Sequence, residues 1–236
     1  MSLPVTNLSA VANRIGRPFA VVTLAAVGDL AVSVYVCQGQ VNWHKHLDED
    51  ELFLVHEGVI GLETERGNLN LHAEELVVVP KGVAHRSGST LRSVVVLIRA
   101  AVFTERKNGH RSRGLDTDPP LEKIRIARAS AMLTTPYQPV VLARVEDFDA
   151  LLMSAQGFGP QEAAPGHGAL WFAVRGSAGI ETAAGAGARL EAGELGARLE
   201  AGELTVVPAG VRYRLHAAQP ALLLTLVKTS TDETSR

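Results

Sequence analysis

Three histidines and one glutamate are the residues of this chain whose types and spacing are best suited to chemistry. His44 and His46 are two positions apart, and in a β-strand such residues point to the same face, whereas Lys45 between them points away. Glu51 follows after a short polar segment, and His85 follows a later apolar run and a Pro-Gly turn. Imidazoles and carboxylates are ligands for divalent metal ions. The sequence therefore predicts one metal site built from these four side chains.

The ligand set narrows the metal to a group of ions. Three imidazoles and a carboxylate suit divalent Fe, Mn, Ni, Co, Cu or Zn, and the ligands alone do not choose among them. Four protein ligands on an octahedral ion leave open positions for water, substrate or dioxygen, which is typical of catalytic sites. Such an ion polarises a carbonyl, acidifies bound water or orients a chelating substrate. The expected cofactor is one divalent metal ion.

The same residues lie in two motifs that resemble those of the cupin superfamily. The segment WHKHLDEDELFLVHEG has the form H-x-H-x(3,4)-E-x6-G, and PKGVAH has the form P-x-G-x2-H. The matching residues are His44, His46, Glu51 and Gly58 in the first motif and Pro80, Gly82 and His85 in the second. The first half is similar to small bacterial cupins called mannose-6-phosphate isomerase-like, a name that establishes no substrate. Two turn glycines of the family pattern are replaced, by Gln38 and Glu74.

Composition and charge argue against several other classes of protein. The apolar fraction of 46% is that of an ordinary globular chain, and 236 residues suffice for one large or two ordinary domains. A net charge of -2 gives no electrostatic reason to expect nucleic-acid binding. Cys37 is the only cysteine, so no disulfide can form within the chain. No apolar run is long enough to cross a membrane and no secretory leader is visible, so we expect a soluble cytoplasmic protein.

The chain is rich in short strand-like segments and poor in helical periodicity. These segments alternate apolar and polar residues or are rich in β-branched residues, and most end at Gly, Pro, Asn or Asp. The predicted strands cover residues 19–27, 30–37, 51–56, 76–79, 94–99, 138–145, 170–175, 204–207 and 221–228. Residues 6–15 and 146–155 are predicted to form short helices. With the cupin resemblance, this pattern predicts an all-β fold of two tandem double-stranded β-helix (jelly-roll) barrels.

The second half of the chain repeats the first. ELVVVPKGVAHR at 75–86 is matched by ELTVVPAGVRYR at 203–214. We therefore predict the layout of a bicupin, in which residues 1–104 form a metal-binding barrel and residues 121–236 form a degenerate one. The polar, proline-terminated segment 105–120 is predicted to be the linker between them.

The repeat has lost the metal ligands. Alignment on the motif glycines and prolines places Glu162, Ala164, Ala169 and Tyr213 opposite His44, His46, Glu51 and His85. Alanine cannot bind a metal ion, and a lone glutamate with a neutral tyrosine makes a poor site. We expect this half to complete a core, build a dimer surface or bind a ligand without metal. The string GARLEAGEL occurs twice in tandem within 187–204, which we interpret as an insertion looped out before a strand.

Residues close to the ligands are candidates for contacts with a substrate. Phe53 shares the strand parity of Glu51 and is expected to face the interior, as a substrate contact or as core filling. Arg86, next to His85, is a candidate partner for an anionic substrate, and an ordinary solvated arginine is the alternative. The acidic run 48–50 is expected to be a solvated turn or to hold the loop that sets Glu51.

Three functions are compatible with these features. The metal ligands favour a metal-dependent enzyme, a dioxygenase or isomerase that acts on a small oxygen-rich molecule, although no catalytic residue can be assigned. The missing acid-base signature and the ligand-free second half favour a non-catalytic module that binds a small ligand or a metal. The third possible function is that of a structural or regulatory protein whose metal site is a relic and no longer functions. Edge strands favour a homodimer, and no motif predicts a nucleic-acid or membrane partner.

Overall fold

A computed structural model describes residues 1–102, 107–108, 118–183 and 194–229, which form eighteen strands and two five-residue helices. The first half has, in chain order, β1 (Thr6–Asn7), α1 (Leu8–Ala12), β2 (Val22–Val27), β3 (Leu30–Gln40), β4 (His44–Lys45), β5 (Glu51–Glu57), β6 (Val59–Thr64), β7 (Gly67–His72), β8 (Glu75–Val79), β9 (His85–Ala100) and β10 (Lys107–Asn108). The second half has β11 (Ile124–Arg125), α2 (Ile126–Ser130), β12 (Val140–Val145), β13 (Phe148–Ala163), β14 (Ala169–Arg175), β15 (Ser177–Thr182), β16 (Glu194–Glu200), β17 (Glu203–Val207) and β18 (Arg212–Lys228). The predicted all-β class is confirmed.

Each half of the chain forms most of one sheet. The first sheet follows the order β10-β4-β9-β5-β8-β11, and β3 and β6 also pair with the long strand β9. The second follows the order β1-β17-β14-β18-β13-β12, and β15 also pairs with the long strand β18. Residues 94–98 of β9 pair with β3 on one side and β5 on the other. Both faces of this segment are also buried, because Val94, Val96 and Ile98 pack into one hydrophobic core and Val95 and Leu97 pack into another, which explains the uninterrupted VVVLI run.

Each half also contributes a short arm to the sheet of the other half. β1 pairs antiparallel with β17, and β11 pairs antiparallel with β8. The helix after each arm buries one apolar side chain completely, Leu8 in α1 and Ile126 in α2. Asn7 begins α1, because its side chain accepts a hydrogen bond of 2.9 Å from the amide of Ala10. This reciprocal exchange ties the two halves together.

The described residues contain three hydrophobic cores, one inside each half and one between the halves. Leu52 and Leu54 of β5 belong to the core between the halves, together with Leu224 of β18. The alternate residues Phe53 and Val55 belong to the core of the first half. One face of β5 is therefore turned toward the predicted ligands, and the other is covered by the second sheet.

The two helix predictions had different outcomes. The helix predicted at 6–15 is present but short, at Leu8–Ala12. The helix predicted at 146–155 was wrong, because β13 passes through this segment and pairs with β12 and β18 on its two sides. The short helix Ile126–Ser130 was not predicted. No helix in the described ranges is long and apolar enough to span a membrane.

Two sequence predictions fall largely outside the described residues. Within the predicted linker 105–120, residues 107–108 pair with β4 as β10, and most of the others are not described. The first copy of the repeated string, at 187–195, is almost wholly outside the described residues, and so is the predicted loop. The second copy, at 196–204, forms most of β16 and the start of β17.

Candidate metal centre

Strand pairing brings His44 and His85 together although they are far apart in the sequence. β4 pairs antiparallel with β9, and the two paired positions are His44 and His85 themselves. Their ring centroids are 4.4 Å apart. Gly82, in the turn before β9, has a φ of +83°, and its amide donates a hydrogen bond of 2.6 Å to the carbonyl oxygen of His46. The turn of the second motif is thus hydrogen-bonded directly to the first motif.

His46 and Glu51 complete the group. Glu51 is the first residue of β5, and its Oε2 lies 3.0 Å from Nε2 of His85 and 3.4 Å from Nε2 of His46. One ligand atom from each of the four residues lies within 4.8 Å of the others. All four side chains are buried, with exposed fractions of 2% to 7%. The structure therefore brings together the four residues that the sequence analysis proposes as ligands.

Backbone carbonyls orient two of the imidazoles. Nδ1 of His44 lies 2.8 Å from the carbonyl oxygen of Asn42, and Nδ1 of His85 lies 3.0 Å from that of Val83. A carbonyl oxygen can only accept a hydrogen bond, so in each ring Nδ1 is the donor and Nε2 is the nitrogen that would bind a metal ion. This is the arrangement in which metal-binding histidines are usually held.

Two charged residues that the sequence analysis did not assign hold the other two ligands. Nδ1 of His46 lies 2.6 Å from Oε1 of Glu49. Nη1 of Arg99 lies 3.1 Å from Oε1 of Glu51 and 3.6 Å from Oε1 of Glu49. The expectation of a solvated turn was wrong for Glu49, which is only 3% exposed. The sequence carries no signal for this burial, because acidic residues in a polar run are usually solvated.

The surroundings of Glu51 favour the charged carboxylate. Burial by itself raises the pKa of Glu51, but the neighbouring His85, His46 and Arg99 more than offset this effect and lower the pKa to about 2. Glu51 is therefore an anion at neutral pH and can serve as a negatively charged metal ligand.

The group has the properties expected of a metal site. Oε2 of Glu51 and Nε2 of His85 are buried, and neither has a hydrogen-bond partner of acceptable geometry in the described part of the chain. Buried polar atoms without such a partner are rare in folded proteins. A cation bound between these two atoms would satisfy both. Three imidazoles and one ionised carboxylate thus fit a divalent transition-metal ion.

A cavity of about 260 Å³ lies beside the four residues. Its walls are mainly apolar and include Phe53, which the sequence analysis proposes as a substrate contact. Its other polar groups are the hydroxyls of Tyr35 and Ser87 and the guanidinium of Arg99. Burial raises the pKa of Tyr35, so its hydroxyl stays protonated and can donate a hydrogen bond. At about 30 Å³ per water, the space corresponds to about nine waters and suits a small molecule.

Arg86, the predicted partner of an anionic substrate, is not among the residues that line this cavity. It directly follows a ligand in β9 and therefore points to the opposite face of the strand. Nη2 of Arg86 lies 2.8 Å from Oε2 of Glu63, and its guanidinium carbon lies 5.2 Å from the ring centroid of Trp43. The arginine of the cavity is Arg99, two positions after Leu97 on the interior face. That parity is a sequence signal by which Arg99 could have been found.

The second half has no comparable group. Glu162 pairs with Tyr213, at the place where the first sheet pairs two of the predicted ligands. Ala169 is the first residue of β14, in the place that Glu51 has in β5. Among the residues that the structure describes, only the four in the first half form a set of His, Cys, Asp or Glu that could share a metal ion.

Comparison with known sequences finds matches to the first half of the chain. Residues 20–96 match the family model described as Homogentisate 1,2-dioxygenase N-terminal. Over 89 residues the chain is 36% identical to the Uncharacterized protein YdbB of Bacillus subtilis (strain 168), which corresponds to 37% of this chain and 79% of that protein. The segment matched by the family model contains all four predicted ligands.

Comparison with solved structures finds similarity over nearly the whole chain. A cupin 2 conserved barrel domain protein from Leptotrichia buccalis has a TM-score of 0.67 and 11% identity, with 97% of this chain and 98% of that chain covered. A mutant of salicylate 1,2-dioxygenase from Pseudoaminobacter salicylatoxidans, in complex with gentisate, has a TM-score of 0.73 and 12% identity, with 95% of this chain and 81% of that chain covered. Identities this low show a shared fold.

Proposed function

Because this chain belongs to the cupin superfamily, we propose that its first half binds one divalent metal ion and acts with it on a small oxygen-rich molecule. The observation that carries the proposal is the convergence of four buried ligand atoms within 4.8 Å of one another. The proposed ligands are His44, His46, Glu51 and His85. The ion is one of Fe, Mn, Ni, Co, Cu and Zn, for which this mixed set of ligands is suitable.

Of the two reaction classes that the ligands allow, oxygenation is better supported than isomerisation. The matching family model is described as part of a homogentisate 1,2-dioxygenase, and a similar solved structure is a salicylate 1,2-dioxygenase with gentisate. When bound, a redox-active ion such as Fe(II) supplies a site for activating dioxygen and for holding a substrate that chelates through two oxygens. We favour a dioxygenase whose substrate is a small hydroxylated acid.

The residues around the proposed ion have separate tasks. Arg99 holds the carboxylate of Glu51 in place through Oε1, which leaves Oε2 as the ligand atom. Phe53 and the other apolar walls would pack against the carbon atoms of a substrate. The Tyr35 hydroxyl is placed at the wall of the cavity as a hydrogen-bond donor to a substrate oxygen.

Dioxygen uptake by the Fe(II)-loaded protein tests this proposal. Gentisate, salicylate and other small hydroxylated acids are the first substrates to try, with product identified by mass spectrometry. We expect uptake by the wild type and by His72→Ala, which alters an exposed histidine, and none by His44→Ala or His85→Ala. Uptake that survives both ligand substitutions would show that the chemistry occurs elsewhere.

A non-catalytic module that binds a small ligand or a metal is the second candidate. The observation in its favour is the described lining of the cavity, which has no carboxylate or imidazole besides the proposed ligands. No separate general base is therefore available for proton transfer. Ligand-induced thermal stabilisation of the metal-loaded protein, without product or dioxygen uptake, would favour this candidate over the enzyme.

The quaternary structure, the location and the domain boundaries also belong to the proposal. A homodimer is supported by β2 and β12, each of which pairs with a single strand in the described residues and so has an open edge. Light scattering coupled to size-exclusion chromatography tests it. The division into barrels at 1–104 and 121–236, with a linker at 105–120, and the cytoplasmic location remain predictions of the sequence.

A further inference from the structure

We propose that Glu49 is a positioning residue of the metal centre, which orients His46 and strengthens it as a ligand, and thereby sets the affinity of the site for its ion. The inference rests on the proposed function, because it requires a metal ion at the four ligands. Glu49 is buried, and it does not line the cavity beside the ligands. Its role is therefore exerted through His46 and not by contact with a substrate.

The polar contacts described for Glu49 are with two residues of the site. Its Oε1 lies 2.6 Å from Nδ1 of His46 and 3.6 Å from Nη1 of Arg99. Both carboxylate oxygens of Glu49 are buried, and neither has a hydrogen-bond partner of acceptable geometry in the described part of the chain, so the contact with His46 is a close approach of the two charged or polar atoms. A buried carboxylate with so few partners is costly unless positive charge is close by. The arrangement is accounted for if Arg99 and a metal ion beyond His46 together supply that charge.

The chemistry of imidazole explains how Glu49 acts on the ion. A carboxylate that accepts the Nδ1 hydrogen fixes the tautomer and the ring plane, so that the Nε2 lone pair is directed at the ion. Its negative charge also makes Nε2 a stronger donor. At Nδ1, the other two histidines face backbone carbonyl oxygens, which are neutral. His46 is thus the ligand of this site whose strength depends on a charged neighbour.

The second half of the chain provides an internal comparison. Ala164 and Ala169 have the same separation as His46 and Glu51, which places His167 at the position of Glu49. The matching strand registers place Val227 at the position of Arg99. Where the ligands are missing, the buried Glu49 and the partly buried Arg99 have no charged counterparts at these two positions that could form the same pair, and the strands still pair in the same way. The buried carboxylate is therefore not required by the fold.

The test compares metal affinity in the full chain after removal of all metal. Zn(II) and Co(II) dissociation constants are measured by chelator competition for the wild type, Glu49→Gln and Glu49→Ala. We expect Glu49→Ala to weaken binding by about 10- to 100-fold. The dissociation constant of Glu49→Gln should lie between those of the wild type and Glu49→Ala, because the amide oxygen can still accept a hydrogen bond from Nδ1 of His46 but has no charge. The matched control is Asp48→Asn, which removes an exposed carboxylate from the same loop.

A second readout separates positioning from a general effect on folding. The visible absorption of bound Co(II) reports ligand geometry and strength, and we expect it to change in both Glu49 variants but not in Asp48→Asn. Denaturant unfolding without metal shows whether each variant folds, and Glu49→Gln decides the case if Glu49→Ala does not fold. Wild-type affinity and an unchanged spectrum in both variants, or equal weakening in Asp48→Asn, would overturn the inference alone. A wild type that binds no metal would overturn the proposed function with it.

Discussion

The hydroxyl of Tyr213 donates a hydrogen bond of 3.1 Å to Oε2 of Glu162, at the place in the second sheet where the first sheet pairs His85 with His44. Burial, together with the charge of Glu162, raises the pKa of Tyr213, so its hydroxyl stays protonated. A protonated phenol is a poor metal ligand. The same strand register therefore supports a hydrogen bond in one half and a pair of candidate ligands in the other.

Replacement of Tyr213 by phenylalanine should leave the metal content at one ion per chain. The lost hydrogen bond should lower the free energy of unfolding by about 0.5–1.5 kcal/mol, since a typical intramolecular hydrogen bond contributes that much. Elemental analysis gives the metal content, and urea unfolding gives the stability. A content that falls in Tyr213→Phe, or that is two ions in the wild type, would contradict a single site in the first half.

Removal of the metal should lower the thermal stability of the wild type. A ligand that binds only the folded state, at about 100 times its dissociation constant, stabilises it by about 2.7 kcal/mol at one site. Calorimetry with and without a chelator measures this difference. His85→Ala should show the same melting temperature under both conditions, and a metal-dependent shift that persists in this variant would place the ion elsewhere.

Alanine should be tolerated less at Gly58 than at Gly82, although the two residues have nearly the same backbone conformation. Their φ angles are +82° and +83°, so each substitution carries a left-handed strain of about 1–2 kcal/mol. A Cβ at Gly58 would also lie 2.9 Å from Cβ of Ser93, whereas a Cβ at Gly82 meets nothing within 4 Å. Overpacking of this kind costs about 1–3 kcal/mol more. Equal losses in urea unfolding of the two metal-free variants would contradict the clash.

The stability of the metal-free protein should depend on His56 at mildly acid pH. Burial lowers the pKa of His56 from its ordinary value of 6.5, although Glu57 raises it in part. Between the lowered pKa of the folded state and 6.5, the unfolded chain therefore binds more protons than the folded chain, and the free energy of unfolding decreases as the pH falls through this interval. His56 is 3.2 Å from Oγ of Ser9 and stacks edge-on against Phe172, so the loss arises where the two halves meet.

The comparison that tests this effect is between the wild type and His56→Gln, unfolded with a chelator at about pH 7.5 and about pH 5.5. The wild type should lose more stability over this interval than His56→Gln. His72→Gln, at an exposed position, should behave as the wild type does. An equal pH dependence in all three proteins would assign the loss of stability to other groups.

Most of the strands could be predicted because their signals are local. The runs at 51–56, 76–79 and 94–99 alternate or are apolar throughout and end at turn residues, and β5, β8 and β9 are found there. The hairpin of β6 and β7 was not predicted, although its sequence carries a local signal: Ile60 and Leu62, and then Leu69 and Leu71, alternate with small or polar residues. The helix predicted at 146–155 was wrong for another reason, since pairing with β12 and β18 on both sides makes this segment a strand.

The candidate ligands, their common strand face and the loss of this set in the second half were all determined by the sequence itself, because strand parity and the turns around glycine and proline depend on adjacent residues. Only the tertiary structure decided that Glu49 is buried and Arg99 partly buried beside the ligands, and that Arg86 binds Glu63 outside the cavity. It also decided that the second sheet covers the outer face of β5 and that the two arms are exchanged. The physical reason is that a charge is buried, or a face covered, only when distant strands bring the partner that compensates for the lost water.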